Sequence, residues 1–187
     1  MHSPTLRLGL LSSVAAFVAD QSTKAWVLSA LWPPYSPGME VLPVLNLRLG
    51  FNTGVTFGMF RDSAAGAVWV LVAVGFLVVA FLGSWLWRTR SGIEALGLGL
   101  VIGGALGNML DRLRQGAVTD FIDVHYSGLH WPTFNLADVG IVCGVGLLLL
   151  SALRPASRKA ALEVPTATGR DRTDVTPRDA ERSSSRH

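Results

Sequence analysis

The sequence predicts an all-α integral membrane protein with four transmembrane helices and a small extracytoplasmic β element between helices 1 and 2. Three observations lead to this prediction. Half of the 187 residues are hydrophobic, only 16% are charged, and the charges collect in connecting segments and at the C-terminus. Long runs without charge match the thickness of a bilayer. The slight positive excess lies largely in the C-terminal tail, so it gives no indication of nucleic-acid binding.

The first predicted span covers about 8–31. It follows Arg7, and because no A-x-A cleavage site comes after it, we expect a retained helix rather than a signal peptide. Asp20 and Lys24 are spaced i, i+4, which favours an ion pair that anchors the site. The alternative is a pair at the interface that extends towards water.

The segment Trp32–Ser63 differs from the helices. WPPYSPG breaks a helix, and VLPVLNLRLGF alternates as a strand does. The segment is therefore predicted to form the β element at the membrane surface. FNTGVTFGMF closes it, with Asn52 and Gly54 at a turn.

The second span, about 64–87, carries no charge and ends at Trp85 and Trp87, which are followed by Arg88 and Arg90. This order is typical of an interfacial aromatic belt before a basic cytoplasmic loop.

The third span covers about 92–113. Gly99, Gly103 and Gly107 form a stripe of small residues suited to close helix packing. Gly104, Asn108 and Arg112 repeat on a neighbouring face at the same spacing. A nucleotide-binding reading of GLGLVIG is rejected, because no strand precedes it.

The fourth span covers about 134–153 and completes a domain over residues 1–154. Residues 155–187, rich in Ser, Thr, Pro, Arg and Asp, are predicted to be a disordered polar cytoplasmic tail. Cys143, the single cysteine, excludes an internal disulfide and a thiolate metal cluster, and it is interpreted as a small packing residue.

Two aspartates mark the candidate site. Asp120 and Asp138 lie at opposite ends of a polar loop, and Asp138 opens an uncharged run. Placing a carboxylate where such a run meets lipid costs free energy, so a carboxylate at this position indicates a functional role. A close pair can share one proton, with one member as base and the other as acid. The alternative is that one caps a helix while the other lies in a solvated loop.

The basic residues predict the orientation. With four spans, Arg7, Arg88, Arg90 and the Arg154–Lys159 cluster share one side, which the positive-inside rule assigns to the cytoplasm. Both termini are then cytoplasmic. Polar residues from four separate segments gather at the outer side.

Four stretches together resemble the lipoprotein signal peptidase (signal peptidase II) family of bacterial membrane aspartic peptidases. They are DQSTKAWV from Asp20, FNTGVTFGMF from Phe51, GGALGNMLDRLRQGAVTDFID from Gly103 and FNLADVG from Phe134. They span almost the whole membrane part in the order typical of the family, and the tail lies outside the resemblance.

The resemblance implies a catalytic dyad of Asp120 and Asp138. It implies a substrate cleft lined by Asn52, Gly104, Asn108, Arg112 and Asn135, with structural support from Asp20, Lys24 and Asp111. His125 and His130 fall outside the pattern and are interpreted as loop residues rather than metal ligands. We expect neither metal nor cofactor.

The resemblance also implies the substrate and the location. The enzyme is expected to cut prolipoproteins before a diacylglyceryl-modified cysteine, as a monomer in the bacterial inner membrane, in contact with lipid and without nucleic acid. Two other functions stay open on the residues alone: a small transporter or proton relay, and a non-enzymatic assembly subunit whose polar residues join helices.

Overall fold

The computed structural model describes residues 4–34, 38–54 and 64–153. The elements follow in the order α1 (Pro4–Ala30), β1 (Met39–Leu42), β2 (Leu45–Asn52), α2 (Ala64–Arg88), α3 (Gly92–Gln115), β3 (Val118–Tyr126), β4 (Leu129–His130) and α4 (Leu136–Leu153). The four predicted helices are present. Helix α1 begins four residues early, because proline is accommodated in a first turn. The tail and residues 55–63 lie outside the described residues.

Helix α3 is the central element and contacts the other three helices. Its glycine stripe serves close helix packing, as predicted, and the helix that it faces is α1: a Cβ at Gly99 would collide with the backbone of Gly9, and one at Gly103 with that of Ser13. Gly107 lies against the Asp20 side chain in the same way. The small residues therefore allow α1 and α3 to approach closely enough for their polar side chains to meet.

Two apolar clusters hold the fold at different levels. Leu6, Leu86 and Leu98 belong to one that joins α1, α2 and α3. Val27, Leu49 and Phe121 belong to another, which joins the C-terminal end of α1 to β2 and β3. The second cluster fixes the sheet on the end of the helical bundle.

Three helices in the described part of the chain are long and apolar enough to cross a membrane, namely Val68–Arg88, Gly92–Gln115 and Leu136–Leu153. Only 11% of the apolar window in the first and in the last of these is buried. Large apolar side chains thus face outwards, as expected for helices in lipid. Helix α1 is not among the three, since Asp20, Gln21 and Lys24 interrupt its apolar run.

The sheet differs from the prediction. It has four antiparallel strands in the order β1-β2-β3-β4, so two strands come from the α3–α4 connection as well as two from the α1–α2 connection. The description all-α is therefore incomplete. Asp120 lies in strand β3 opposite Gly50, rather than at the start of a loop.

Two smaller predictions are also corrected. His125 and His130 are cross-strand partners on β3 and β4, not loop residues. Cys143 is exposed on α4 rather than packed. The neighbouring Gly144 instead takes the packed face, where a Cβ would meet the Gly97 carbonyl oxygen of α3 at 2.6 Å.

Candidate active site

The N-terminus of α4 presents Asp138. Asn135, just before the helix, accepts the Asp138 backbone N–H at its Oδ1 (3.0 Å), while Asp138 Oδ2 accepts the Asn135 backbone N–H (3.2 Å). This reciprocal arrangement is a capping box, which satisfies two otherwise unpaired backbone donors. Asp138 is thus held by helix capping, and its other oxygen remains available to neighbouring groups.

Asp120 reaches the same place from strand β3. Its side chain is 3% exposed, and its Oδ1 accepts a 2.6 Å hydrogen bond from Asn135 Nδ2. Asn52, at the end of β2, also hydrogen-bonds the Asp120 carboxylate. The predicted turn at Asn52 is present, since Asn52 Oδ1 accepts the Gly54 backbone N–H at 2.8 Å.

A pair of asparagines connects the two aspartates. Asn108 on α3 donates from Nδ2 to Asp138 Oδ1 (2.9 Å) and accepts from Asn135 Nδ2 at 3.2 Å. Asn135 is 0% exposed, and both its amide hydrogens and its oxygen are engaged. One asparagine side chain therefore contacts both members of the predicted dyad.

The predicted ion pair between Asp20 and Lys24 is confirmed, with Lys24 Nζ 2.9 Å from Asp20 Oδ2. Both residues are buried, which excludes the alternative of a pair extended towards water. Asp111 of α3 adds a second carboxylate, 2.9 Å from Lys24 Nζ. The third donor of the ammonium group binds Asn108 Oδ1 at 2.9 Å, so this cluster contacts the asparagine pair directly.

Gly104 and Arg112 are the remaining predicted site residues on α3. A Cβ at Gly104 would lie 2.5 Å from the Ala137 carbonyl oxygen, so glycine allows α4 to approach. Arg112 donates from Nη1 to the Asn108 carbonyl oxygen at 3.3 Å and interacts electrostatically with Asp120 and Asp138. Its Nε is buried and has no hydrogen-bond partner among the described residues.

The surroundings of Asp120 favour its protonated form. Burial raises the pKa of the Asp120 carboxyl, and the charge of Asp138 raises it further. Hydrogen bonds from Asn52 and Asn135 and the charge of Lys24 oppose these effects but do not outweigh them. A carboxyl that holds a proton more tightly than usual beside a second carboxylate has the properties of an acid–base pair.

The sequence profile of the family described as Signal peptidase (SPase) II matches residues 12–154. The chain belongs to this family. A lipoprotein signal peptidase of Nitrobacter hamburgensis is 42% identical over 161 residues, which cover 83% of this chain and 98% of that protein. One of Beijerinckia indica subsp. indica is 37% identical over 162 residues, covering 87% and 96%.

A solved bacterial membrane enzyme has a related fold, with a TM-score of 0.67 and 27% sequence identity. The match covers 81% of this chain and 90% of that structure. The chain is therefore a membrane peptidase of the signal peptidase II family, as the sequence resemblance implied.

Two features of the peptidase were missed in the sequence. Gln21 donates from Nε2 to Asp111 Oδ1 (3.0 Å) and to Asp20 Oδ2 (3.1 Å). In the sequence, only its position beside Asp20 on α1 indicated that Gln21 lies near the site. The contact with Asp111 depends on how α1 and α3 pack.

The second missed feature is a polar cluster on the sheet. His130 Nδ1 lies 2.8 Å from Asp123 Oδ1, and Arg48 lies 3.6 Å from Asp123 Oδ2. Burial raises the pKa of Asp123, but the hydrogen bond and charge of His130, with the charge of Arg48, lower it more. This aspartate is therefore held ionised. Within the described residues, no group of three or more His, Cys, Asp or Glu side chains is arranged to hold a metal ion.

Proposed function

We propose that this peptidase removes the signal peptide from prolipoproteins by cutting before a diacylglyceryl-modified cysteine, with Asp120 and Asp138 as its catalytic dyad. One observation carries the proposal: the Asn135 side chain hydrogen-bonds Asp120 and caps the helix turn of Asp138. The names of the relatives support the substrate class. No cofactor takes part in the proposed reaction.

The dyad hydrolyses the peptide bond while holding one shared proton. The ionised carboxylate removes a proton from water while the water oxygen attacks the scissile carbonyl carbon. The protonated carboxyl donates its proton to the carbonyl oxygen. In the second step the carboxylate left by that donation takes a proton from one diol hydroxyl, the C–N bond breaks, and the carboxyl that was protonated by water donates its proton to the leaving amine, so the dyad again holds one proton. Burial raises the pKa of Asp120, which makes Asp120 the better candidate for the proton carrier.

The other site residues either contact the substrate or position the dyad. Arg112 Nε is a buried donor without a partner among the described residues, and such a donor costs about 1–3 kcal/mol. A substrate carbonyl oxygen would satisfy it. Asn52 and Asn108 border the cleft, and Gly104 allows the walls to approach. Asn135 has no free hydrogen-bonding group left for the substrate, so we assign it to positioning the dyad.

The protein spans the bacterial inner membrane four times in this proposal, with α1 as the first span and both termini cytoplasmic. The peptidase domain covers residues 1–154, and the tail of residues 155–187 takes no part in catalysis. The active site then lies at the extracytoplasmic surface, where a lipid-anchored cysteine places the scissile bond. The substrate enters sideways from the lipid, and a monomer suffices.

Cleavage of a synthetic diacylglyceryl-modified prolipoprotein peptide by the purified protein in detergent tests the proposal. We expect Asp120→Asn and Asp138→Asn each to lower kcat at least about a thousandfold, because residues that act as one catalytic unit cannot replace one another. The peptide without lipid should remain uncut.

Asp123→Asn is the matched control, since this buried aspartate lies on the same strand outside the dyad. Folded Asp123→Asn protein should retain cleavage. Turnover by either dyad variant would contradict the assignment. Failure of folded wild-type protein to cut the lipidated peptide would contradict the proposed substrate.

A further inference from the structure

Two buried aspartates outside the dyad make parallel contacts. Asp20 Oδ1 accepts the backbone N–H of Ala137 at 2.9 Å, and Ala137 immediately precedes Asp138. Asp111 Oδ2 accepts the backbone N–H of Thr119 at 3.1 Å, and Thr119 immediately precedes Asp120. Each carboxylate therefore holds the residue whose peptide bond leads directly into one member of the dyad.

Lys24 connects these two carboxylates. Its ammonium group lies 2.9 Å from Asp20 Oδ2 and 2.9 Å from Asp111 Oδ2. The residue is only 2% exposed, so water does not screen the contacts strongly. Charge-assisted hydrogen bonds of this kind are shorter and stronger than neutral ones.

Gln21 forms a second connection. Its Nε2 lies within hydrogen-bonding distance of Asp20 Oδ2, Asp111 Oδ1 and the Gly107 carbonyl oxygen, at 3.0–3.3 Å. The amide has two hydrogens, so it can bind one carboxylate on each helix at once. The charged connection through Lys24 and the neutral connection through Gln21 thus start about one helical turn apart on α1.

We infer that Gln21 and Lys24 set the separation of the dyad carboxylates, by fixing Asp20 and Asp111 at one distance from each other. These four side chains are positioning residues, because they act through the backbone of Ala137 and Thr119. The inference rests on the proposed function, since it requires Asp120 and Asp138 to be the dyad.

Gln21→Leu is the most informative variant. It removes the neutral connection and leaves Lys24 paired with both carboxylates, so no buried charge loses its partner. A displacement of about 1 Å costs up to a hundredfold in rate, and partial loosening should lower kcat about tenfold with KM within about twofold. Both should be measured with the lipidated peptide.

The pH profile of kcat/KM separates positioning from general stability. Two close carboxylates are active over the pH range in which they share one proton. The hydrogen bond of the shared proton lowers the acid limit of that range, and the repulsion between the two charges raises the alkaline limit. If the carboxylates move apart, the acid limb should shift up in pH and the alkaline limb down. A loss of folded protein alone would lower the whole profile without narrowing it.

Thr23→Val is the control on the same helix, because within the described residues the Thr23 hydroxyl bonds only to carbonyl oxygens of its own helix. It should leave kcat and the profile unchanged. Asp111→Asn, which retains one oxygen for the Thr119 N–H, should lose less kcat than Asp111→Leu. This pair also provides the test if Gln21→Leu fails to fold.

The outcomes are distinct. A narrower profile with lower kcat in Gln21→Leu supports the inference. A pH profile of unchanged width in Gln21→Leu overturns the inference, whether kcat is unchanged or lower. This conclusion requires that wild-type protein cuts the peptide and that Asp120→Asn does not. Cleavage by Asp120→Asn would instead overturn the proposed function on which the inference rests.

Discussion

Asp120 illustrates how a single residue combines a cost in stability with a proposed catalytic role. Its carboxyl is 3% exposed, and burial raises its pKa above the ordinary value of 3.8. Two amides, from Asn52 and Asn135, compensate only in part. The folded protein therefore binds the Asp120 proton more tightly than the unfolded chain does, so ionisation of this side chain at neutral pH costs stability.

Asp120→Asn should consequently make the protein more stable at pH 7 while abolishing cleavage. The raised pKa contributes stability that is complete below pH 3.8 and is lost as pH rises through the folded-state pKa. Asparagine removes this loss, because it stays neutral. Thermal unfolding in detergent at pH 7 should show a higher midpoint for the variant, and the difference should shrink as pH falls. An equal or lower midpoint at pH 7 would contradict the expectation.

At the scale of elements, sequence periodicity predicted helices better than strands. The i, i+4 spacing of Asp20 and Lys24 and the glycine stripe of α3 both led to contacts that the structure confirms. Strand β3 was missed because Asp120 and Asp123 interrupt its apolar alternation and imitate a polar loop. Its pairing with β2 depends on residues more than 60 positions apart, which local patterns do not reveal.

The contact between α3 and α4 allows a test at the same scale. Gly104→Ala would place a Cβ 2.5 Å from the Ala137 carbonyl oxygen, so α4 must move outwards together with Asp138. We expect cleavage to fall about 10- to 100-fold, the sensitivity of catalysis to a displacement near 1 Å. Overpacking should also cost about 1–3 kcal/mol of stability.

Gly146→Ala is the matched control on α4, because no atom in the described part of the chain lies within 4 Å of its Cβ position. It should retain both cleavage and stability. Equal activity of the two alanine variants would show that the approach of α4 at Gly104 does not determine the position of Asp138.

At the scale of the whole molecule, the resemblance named residues that the fold brings together from α1, β2, α3, β3 and α4. It did not provide the connections among them: Asn135 between the aspartates, or Lys24 between Asp20 and Asp111. These depend on the packing of α1, α3 and α4 and on the strand pairing of β3. Residues therefore transfer from a family motif more readily than contacts do.

The proposed orientation makes a prediction for the intact cell. In a Cys143→Ala background, a membrane-impermeant maleimide should label Tyr126→Cys on the sheet but not Arg90→Cys between α2 and α3. Both native side chains are exposed, so accessibility to the reagent depends on the side of the membrane. After the cells are lysed, both variants should react. Labelling of Arg90→Cys alone in intact cells would reverse the orientation.

The hydrogen bond from Ala137 to Asp20 joins positions 117 residues apart. Because translation proceeds from the N-terminus, α1 with Asp20 and Lys24 is synthesised long before Ala137. Asp20 Oδ1 therefore lacks the Ala137 N–H as its donor until the segment that contains α4 has been synthesised. We expect a nascent peptidase to remain inactive until α4 has inserted, because α4 carries Asp138 and the Ala137 N–H that Asp20 accepts.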